Sequence, residues 1–119
     1  MSRASGDWGE ALVANYLRSR GYVLLAHSYR CRFGEIDLIA QKKNLLCFVE
    51  VKLRGSVEHG LPREAVTASK QEKIKKTASM YMSARELDLP IRFDVAEVYT
   101  DAEHSEKNTK IEYLENAFI

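Results

Sequence analysis

The sequence predicts one α+β domain, and three observations carry that prediction. A stretch of helical periodicity leads into three strand-like stretches, the second and third of which alternate residue by residue, and a second helical stretch leads into two more strands. The 119 residues, 45% of them hydrophobic, suit a single modest core over 1–119, organised from about residue 6 to residue 118. No apolar run approaches the roughly 20 residues of a membrane span, and no signal-peptide core stands near the start. A cytoplasmic protein without membrane association is therefore expected.

The first helix is predicted from Gly6 or Asp7 to Arg20, with Ser5 as its cap, Asp7 and Glu10 near its positive end and Gly21 as its stop. Trp8, Leu12 and Tyr16 form one apolar row, and Val13, Ala14 and Leu17 form another. Glu10 belongs to the second row, which sets a carboxylate among side chains that want burial. A first-turn Glu that only serves the helix dipole is the plainer alternative. Tyr22 to Tyr29 reads as a strand apolar enough to pack at least in part on both sides, and Arg30 to Phe33 as a turn or bulge.

The next two strands carry the chemistry. Between Glu35 and Ala40, the residues Glu35, Asp37 and Ile39 fall on one side and Ile36, Leu38 and Ala40 on the other. Between Leu46 and Leu53, the residues Val49, Val51 and Leu53 oppose Phe48, Glu50 and Lys52. A two-residue loop of Lys43 and Asn44 pairs Lys42 with Leu45 and sets Asp37 opposite Glu50, with Cβ atoms about 4.5–5.5 Å apart. Lys52 then projects from the same face, one side-chain period beyond Glu50. A three-residue loop sets Asp37 against Val49 instead and parts the charges.

Gly55 to Pro62 reads as a loop by its glycine and proline content, beside the acidic strands and able to contact substrate. The second helix is predicted from Ser69, where Ser69-x-x-Glu72 has capping-box form, to about Leu87. Its apolar stripe is Ile74, Ala78, Tyr81 and Met82, with Met80 and Met82 as core filler. Pro90 opens a strand from Ile91 to Tyr99, in which Asp94 pairs with Arg92 or a loop donor. Asp101 to Asn108 is polar and reads as a mobile loop. Lys110 to Leu114 makes a last short strand, and the Ala117-Phe118-Ile119 end packs back on the sheet.

Carboxylates as close as Asp37 and Glu50 raise each other's pKa unless a cation compensates them. Lys52 is one such cation, and a divalent metal is a stronger one. Mg²⁺, or Mn²⁺ in its place, takes one or two carboxylates together with water and phosphate oxygens, so Asp37, Glu50 and the backbone carbonyl of Val51 form a candidate half-shell. Such an ion acidifies a water and polarises a phosphoryl oxygen. Lys52 beside it would orient the nucleophile or stabilise developing negative charge. Cys31 and Cys47 are too few for a disulfide framework, and His27, His59 and His104 show no ligand spacing, so ordinary packing and surface roles are expected for them.

Asp37 followed by Glu50-x-Lys52 on the next strand resembles the split acidic motif of the restriction-endonuclease-like, or PD-(D/E)xK, nuclease superfamily, which includes archaeal Holliday-junction resolvases. More closely, Phe33-Gly34-Glu35-Ile36-Asp37-Leu38-Ile39-Ala40, with Phe48-Val49-Glu50-Val51-Lys52-Leu53-Arg54 after it, is similar to the YraN-like family of small bacterial proteins. The similarity runs from about Gly6 to Phe118. It implies α/β/α layers around a mixed central sheet, in the order helix-strand-strand-strand-helix-strand-strand. It also implies that Glu10, in the family's Gly-Glu position, points at the metal site, and that Lys70 holds a basic position beside it. A homodimer is an arrangement that the resembled resolvases use. Leu53 departs from the small polar residue usual between the Lys and the Arg, which touches local strand packing alone.

Net charge is only +1, so any attraction to nucleic acid must come from local clusters. Arg30 and Arg32 flank the hairpin entry, Arg54 follows the Glu-x-Lys motif, and Lys70, Lys73, Lys75 and Lys76 crowd one helix. Arg32, Arg54 and Lys70 are the candidate nucleic-acid contacts, with affinity that falls as salt rises. A solvated helix face accounts equally well for Lys73, Lys75 and Lys76.

Two functions follow as expectations. One is a metal-dependent endonuclease acting on DNA, branched, damaged or single-stranded, with Glu10, Asp37, Glu50 and Lys52 as its catalytic set. The other is a non-catalytic nucleic-acid-binding or recombination and repair accessory protein on the same scaffold, where Asp37, Glu50 and Lys52 form an internal ion-pair network. RNA stays open as a substrate.

Overall fold

Periodicity reappears as elements in the predicted order. The computed structural model describes residues 3–55 and 66–118. It contains α1 (Arg3–Ser19), β1 (Val23–Cys31), β2 (Gly34–Lys42), β3 (Leu45–Arg54), α2 (Ala68–Ala84), β4 (Ile91–Tyr99) and β5 (Lys110–Phe118), with a 3-10 turn at Glu106–Asn108. The five strands form one sheet in chain order. β3 and β4 run parallel, and the other three pairings are antiparallel. A parallel neighbour needs a crossover, and α2 lies in the connection that makes it.

The helices cover opposite faces. Val13, Ala14 and Leu17 of α1 pack on Leu38, Ala40, Cys47, Val49, Ala96 and Val98. Ile74, Ala78 and Tyr81 of α2 pack on Ile36, Ile39, Leu46, Phe48, Phe93 and Val95. A sheet buried on both faces reads as near-continuous apolar runs in its central strands, and Leu46 to Val49 are accordingly all buried. The result is the expected α/β/α layering around a mixed sheet. Among the described residues, no helix is long and apolar enough to cross a membrane.

Helix boundaries depart from expectation in ways that capping explains. α1 begins at Arg3, so Ser5 lies inside the helix rather than at its cap. Its end is as expected: Gly21 takes φ 88°, its N–H reaches Arg18 O at 3.1 Å, and the N–H of Tyr22 reaches Leu17 O at 3.1 Å. α2 is capped by Thr67, whose Oγ1 accepts the Lys70 N–H at 3.2 Å, and not by Ser69. It stops at Ala84 because Glu86 enters the left-handed region at φ 53°, bringing the Leu87 N–H to Met82 O at 2.9 Å. A glutamate in that role gives no sequence signal.

Smaller differences are local, and β1 leaves Val23 and Leu25 exposed on one side instead of packing on both. Met82 packs against the core as expected, whereas Met80 is exposed. Asp101 to Asn108 folds around the Asp101 carboxylate, which accepts the Ser105 N–H at 2.9 Å and Asn108 Nδ2 at 2.8 Å. His104 in this segment stacks on Trp8 with ring centroids 3.9 Å apart. β5 continues past Leu114 to Phe118, which stacks on Phe93 at 5.2 Å. Cys47 is a buried core residue, and Cys31 is half-buried at the β1–β2 turn. The loop predicted after Arg54 falls, from residue 56 to residue 62, outside the described residues, as does Ile119.

Candidate metal centre

The centre is built by a hairpin that opens. Lys43, at φ 55°, and Asn44 form the two-residue turn, and Lys42 pairs with Leu45. The register continues through Ala40 and Cys47 to Leu38 and Val49, where pairing stops. Hydrogen-bonded pairs alternate along an antiparallel ladder, so the next would join Ile36 to Val51. The Val51 N–H donates to Asp37 Oδ2 instead, at 2.7 Å. Asp37 thus occupies the opening where β2 leaves β3, beside Glu50 as the turn length demands. In a strand the carbonyl of a residue projects to the same side as its N–H, so the Val51 carbonyl faces the same opening.

β1 contributes through an irregular residue. Tyr29 pairs with Ile36 and His27 with Leu38, and Ser28 between them takes φ 49°, a costly conformation for a non-glycine residue. Its hydroxyl donates to Glu10 Oε1 of α1 at 3.0 Å. Carboxylate oxygens of Glu10, Glu35 and Asp37 all lie within 4.8 Å of one another. Glu35 is also held by Arg30 Nε at 2.7 Å. Gly34, which starts β2, lets α2 approach this hairpin: a Cβ there would stand 3.4 Å from Lys73 Cβ.

Glu50 is only 7% exposed and its Oε1 lies 3.3 Å from the Lys70 ammonium of α2. Burial, and then contact with the Asp37 carboxyl, push its pKa up to about 8, against the pull of Lys70. Burial and the Asp37 charge also raise Glu10, partly offset by the Ser28 hydrogen bond. Two carboxylates ~4 Å apart repel by about 4 kcal/mol at an effective dielectric of ~20. A half-exposed ion pair returns only ~0–1 kcal/mol. Lys70 therefore offsets a fraction of the negative charge gathered here.

Of the carboxylates predicted as catalytic, Glu10 and Glu50 each come to Asp37, Glu10 within the group it forms with Glu35 and Asp37, and Glu50 by contact with the Asp37 carboxyl. Glu35, read as a neighbour on Asp37's face, joins them more closely than spacing indicates. Lys52 stands half-buried one side-chain period beyond Glu50, in register with Glu97. Among the described residues, no carboxylate ion-pairs with it; the cation at Glu50 is Lys70. Arg54 is engaged by Glu97, its Nη2 2.8 Å from Oε2. Arg32 is exposed with its guanidinium over Phe33 at 4.9 Å, and the Lys76 ammonium lies 6.0 Å from the same ring. Ser28 and Thr67 were not legible as parts of this arrangement, because a hydroxyl in a strand and one before a helix carry no distinguishing pattern.

The donors are carboxylates with one strand carbonyl, a hard oxygen set of the kind that suits Mg²⁺ or Mn²⁺. Asp37 belongs both to the Glu10–Glu35 group and to the contact with Glu50. A cleft of about 550 Å³ opens beside Glu10 between α1 and β1, rimmed by Asp7, Asn15, Arg18, His27 and Ser28.

Sheet, covering helices and acid-lined opening define a small α/β/α protein with a carboxylate-rich centre. The chain belongs to the Uncharacterised protein family UPF0102, whose model matches residues 9–98. A UPF0102 protein of Alkaliphilus metalliredigens is 43% identical over 119 residues, spanning 99% of this chain and 100% of that relative. One of Acetivibrio thermocellus is 43% identical over 119 residues, 98% of this chain and 92% of the relative. Another, of Clostridium botulinum strain Loch Maree, is 41% identical over 115 residues, 95% and 92% of the two chains.

Proposed function

We propose that this protein is a metal-dependent endonuclease that hydrolyses phosphodiester bonds in DNA, acting in the cytoplasm on branched, damaged or single-stranded forms. The observation that carries the reading is the contact of the Asp37 and Glu50 carboxyls at the point where β2 parts from β3. Acidic groups held together in a partly dry site are unfavourable without a cation, and no packing need explains them.

Asp37 and Glu50 would hold Mg²⁺ or Mn²⁺ with the Val51 carbonyl, and Glu10 and Glu35 would hold or orient the waters around it. The ion would supply an acidified water and a polarised phosphoryl oxygen. Lys52 would take a proton from that water or stabilise negative charge on the phosphate. Arg32, with Lys73 and Lys76 nearby, offers exposed cations for the phosphate backbone at the β1–β2 turn, whereas Arg54 serves through its contact with Glu97. The cleft beside Glu10 gives the strand a path away from the ion.

The ion pairs Arg30–Glu35 and Lys70–Glu50 favour a second reading, a non-catalytic nucleic-acid-binding or repair accessory protein whose charges balance internally. Calorimetric titration with Mn²⁺ separates the two. The nuclease reading expects saturable binding to the wild type and its loss in Asp37→Asn. Heat of dilution alone from a folded wild-type protein would favour the accessory reading.

A further inference from the structure

Lys70 approaches Glu50 from the side of the sheet that does not carry Glu10. Its ammonium is half-exposed, at 50%, and ends 3.3 Å from a carboxylate oxygen that is otherwise sealed. The backbone beneath it is pinned. The Lys70 N–H is capped by Thr67 Oγ1 at 3.2 Å, the Gln71 N–H by Thr67 O at 2.9 Å, and Gln71 Nε2 by Val66 O at 2.9 Å. A long flexible side chain on a fixed first turn can swing without moving the helix. Only the charged end has anywhere to go, and the solvent side is open to it.

We infer that Lys70 is a built-in counter-ion that occupies the metal's electrostatic role at Glu50 in the metal-free protein and is displaced when the metal binds. The inference rests on the proposed metal site. Glu50 cannot serve both partners fully, because the ion and the ammonium compete for the same buried oxygens and repel each other at this range. Displacement leaves the ammonium beside the centre, at the first turn of α2, where a substrate phosphate entering the site would meet it. Lys70 is therefore a positioning residue that couples metal occupancy to the presentation of a phosphate-binding charge. Lys52, which makes no ion pair to Glu50, does not compete in this way.

Two measurements on the full chain at pH 8.5, above the range in which Glu50 holds its proton, test the handover. In Mn²⁺ titrations, Lys70→Ala is expected to bind the ion about tenfold more tightly than wild type, since the competing cation is gone. Lys75→Ala, on the same helix but paired with Glu72, is expected to stay within about twofold of wild type. In parallel, acetylation of lysines by acetic anhydride, read by mass spectrometry, is expected to label Lys70 several-fold more heavily with Mn²⁺ than without it, while Lys75 is labelled equally. Unchanged affinity in Lys70→Ala, or Lys70 labelling that ignores Mn²⁺, would overturn the handover and leave the metal site standing. Absence of Mn²⁺ binding in every variant and in wild type would overturn the metal site and the handover with it.

Discussion

Glu50 is the residue on which local chemistry turns. Its carboxyl is buried, touches that of Asp37 and has one lysine at its edge, so in metal-free protein it holds a proton up to about pH 8. Unfolded, it would release that proton near 4.5. The folded state therefore binds the extra proton between these values, and its stability falls as pH rises through them, by at most about 1.4 kcal/mol per pH unit. Thermal melts in chelator should show the wild-type melting temperature dropping between about pH 5 and pH 8. Glu50→Gln removes the linkage, so its melting temperature should change less over that window and exceed that of wild type at the alkaline end. A glutamine that instead destabilises the protein at alkaline pH would mark Glu50 as the anchor of a structural ion pair.

At the scale of elements, β4 and β5 are held by a second buried carboxylate whose role is structural. Asp94 is fully buried and accepts from Arg92 Nε at 2.8 Å, Tyr113 Oη at 2.6 Å and the Asn116 N–H at 2.9 Å. Arg92 in turn reaches Tyr22 Oη at 2.7 Å, tying the β1 entry to the same knot. The Asn116 contact accompanies a bulge, since Phe93 pairs with Phe118 while Val95 pairs with Leu114. Asp94→Ala should cost about 3–5 kcal/mol, because it leaves a partly buried guanidinium uncompensated. Its Mn²⁺ affinity should match wild type, because Asp94 shares its face with Ala96 and Val98 on the α1 side, away from the Glu50–Lys70 pair. The Arg92 half of this pairing was legible from i, i+2 spacing on one strand. Its β5 half was not, because the bulge depends on where Asp94 meets a strand some 20 residues on. For the same reason the α2 stripe of Ile74, Ala78 and Tyr81 could be read from periodicity, while the end of α2, set by Glu86 in a conformation that usually calls for glycine, could not.

At the scale of the molecule, parity did most of the work. A two-residue turn fixed the register as far as Leu38 and Val49, and its continuation sets Asp37 beside Glu50. The predicted alternation breaks there, because Ile36 joins Ile39 on the α2 face instead of Leu38 and Ala40 on the α1 face. What sequence spacing could not supply is the third dimension: Glu10 arrives over one face of the sheet and Lys70 over the other, because the strands part between them. Lys52 was expected to balance the pair and Lys70 does so instead, a choice set by how α2 packs on β2 rather than by strand alternation. The charge centre thus lies at a gap that both helices can reach, which is where a metal-dependent reaction on an extended strand would need it. The most direct test is cleavage of a labelled panel of duplex, single-stranded, flapped and four-way DNA with one RNA, in Mg²⁺ and in Mn²⁺. Wild type, Asp37→Asn and Lys52→Ala would be run side by side. Metal-dependent products from wild type are predicted, absent in Asp37→Asn and slowed roughly 100-fold or more in Lys52→Ala with substrate binding retained. Folded wild-type protein that binds one of these structures and yields no product in either metal would contradict the nuclease reading.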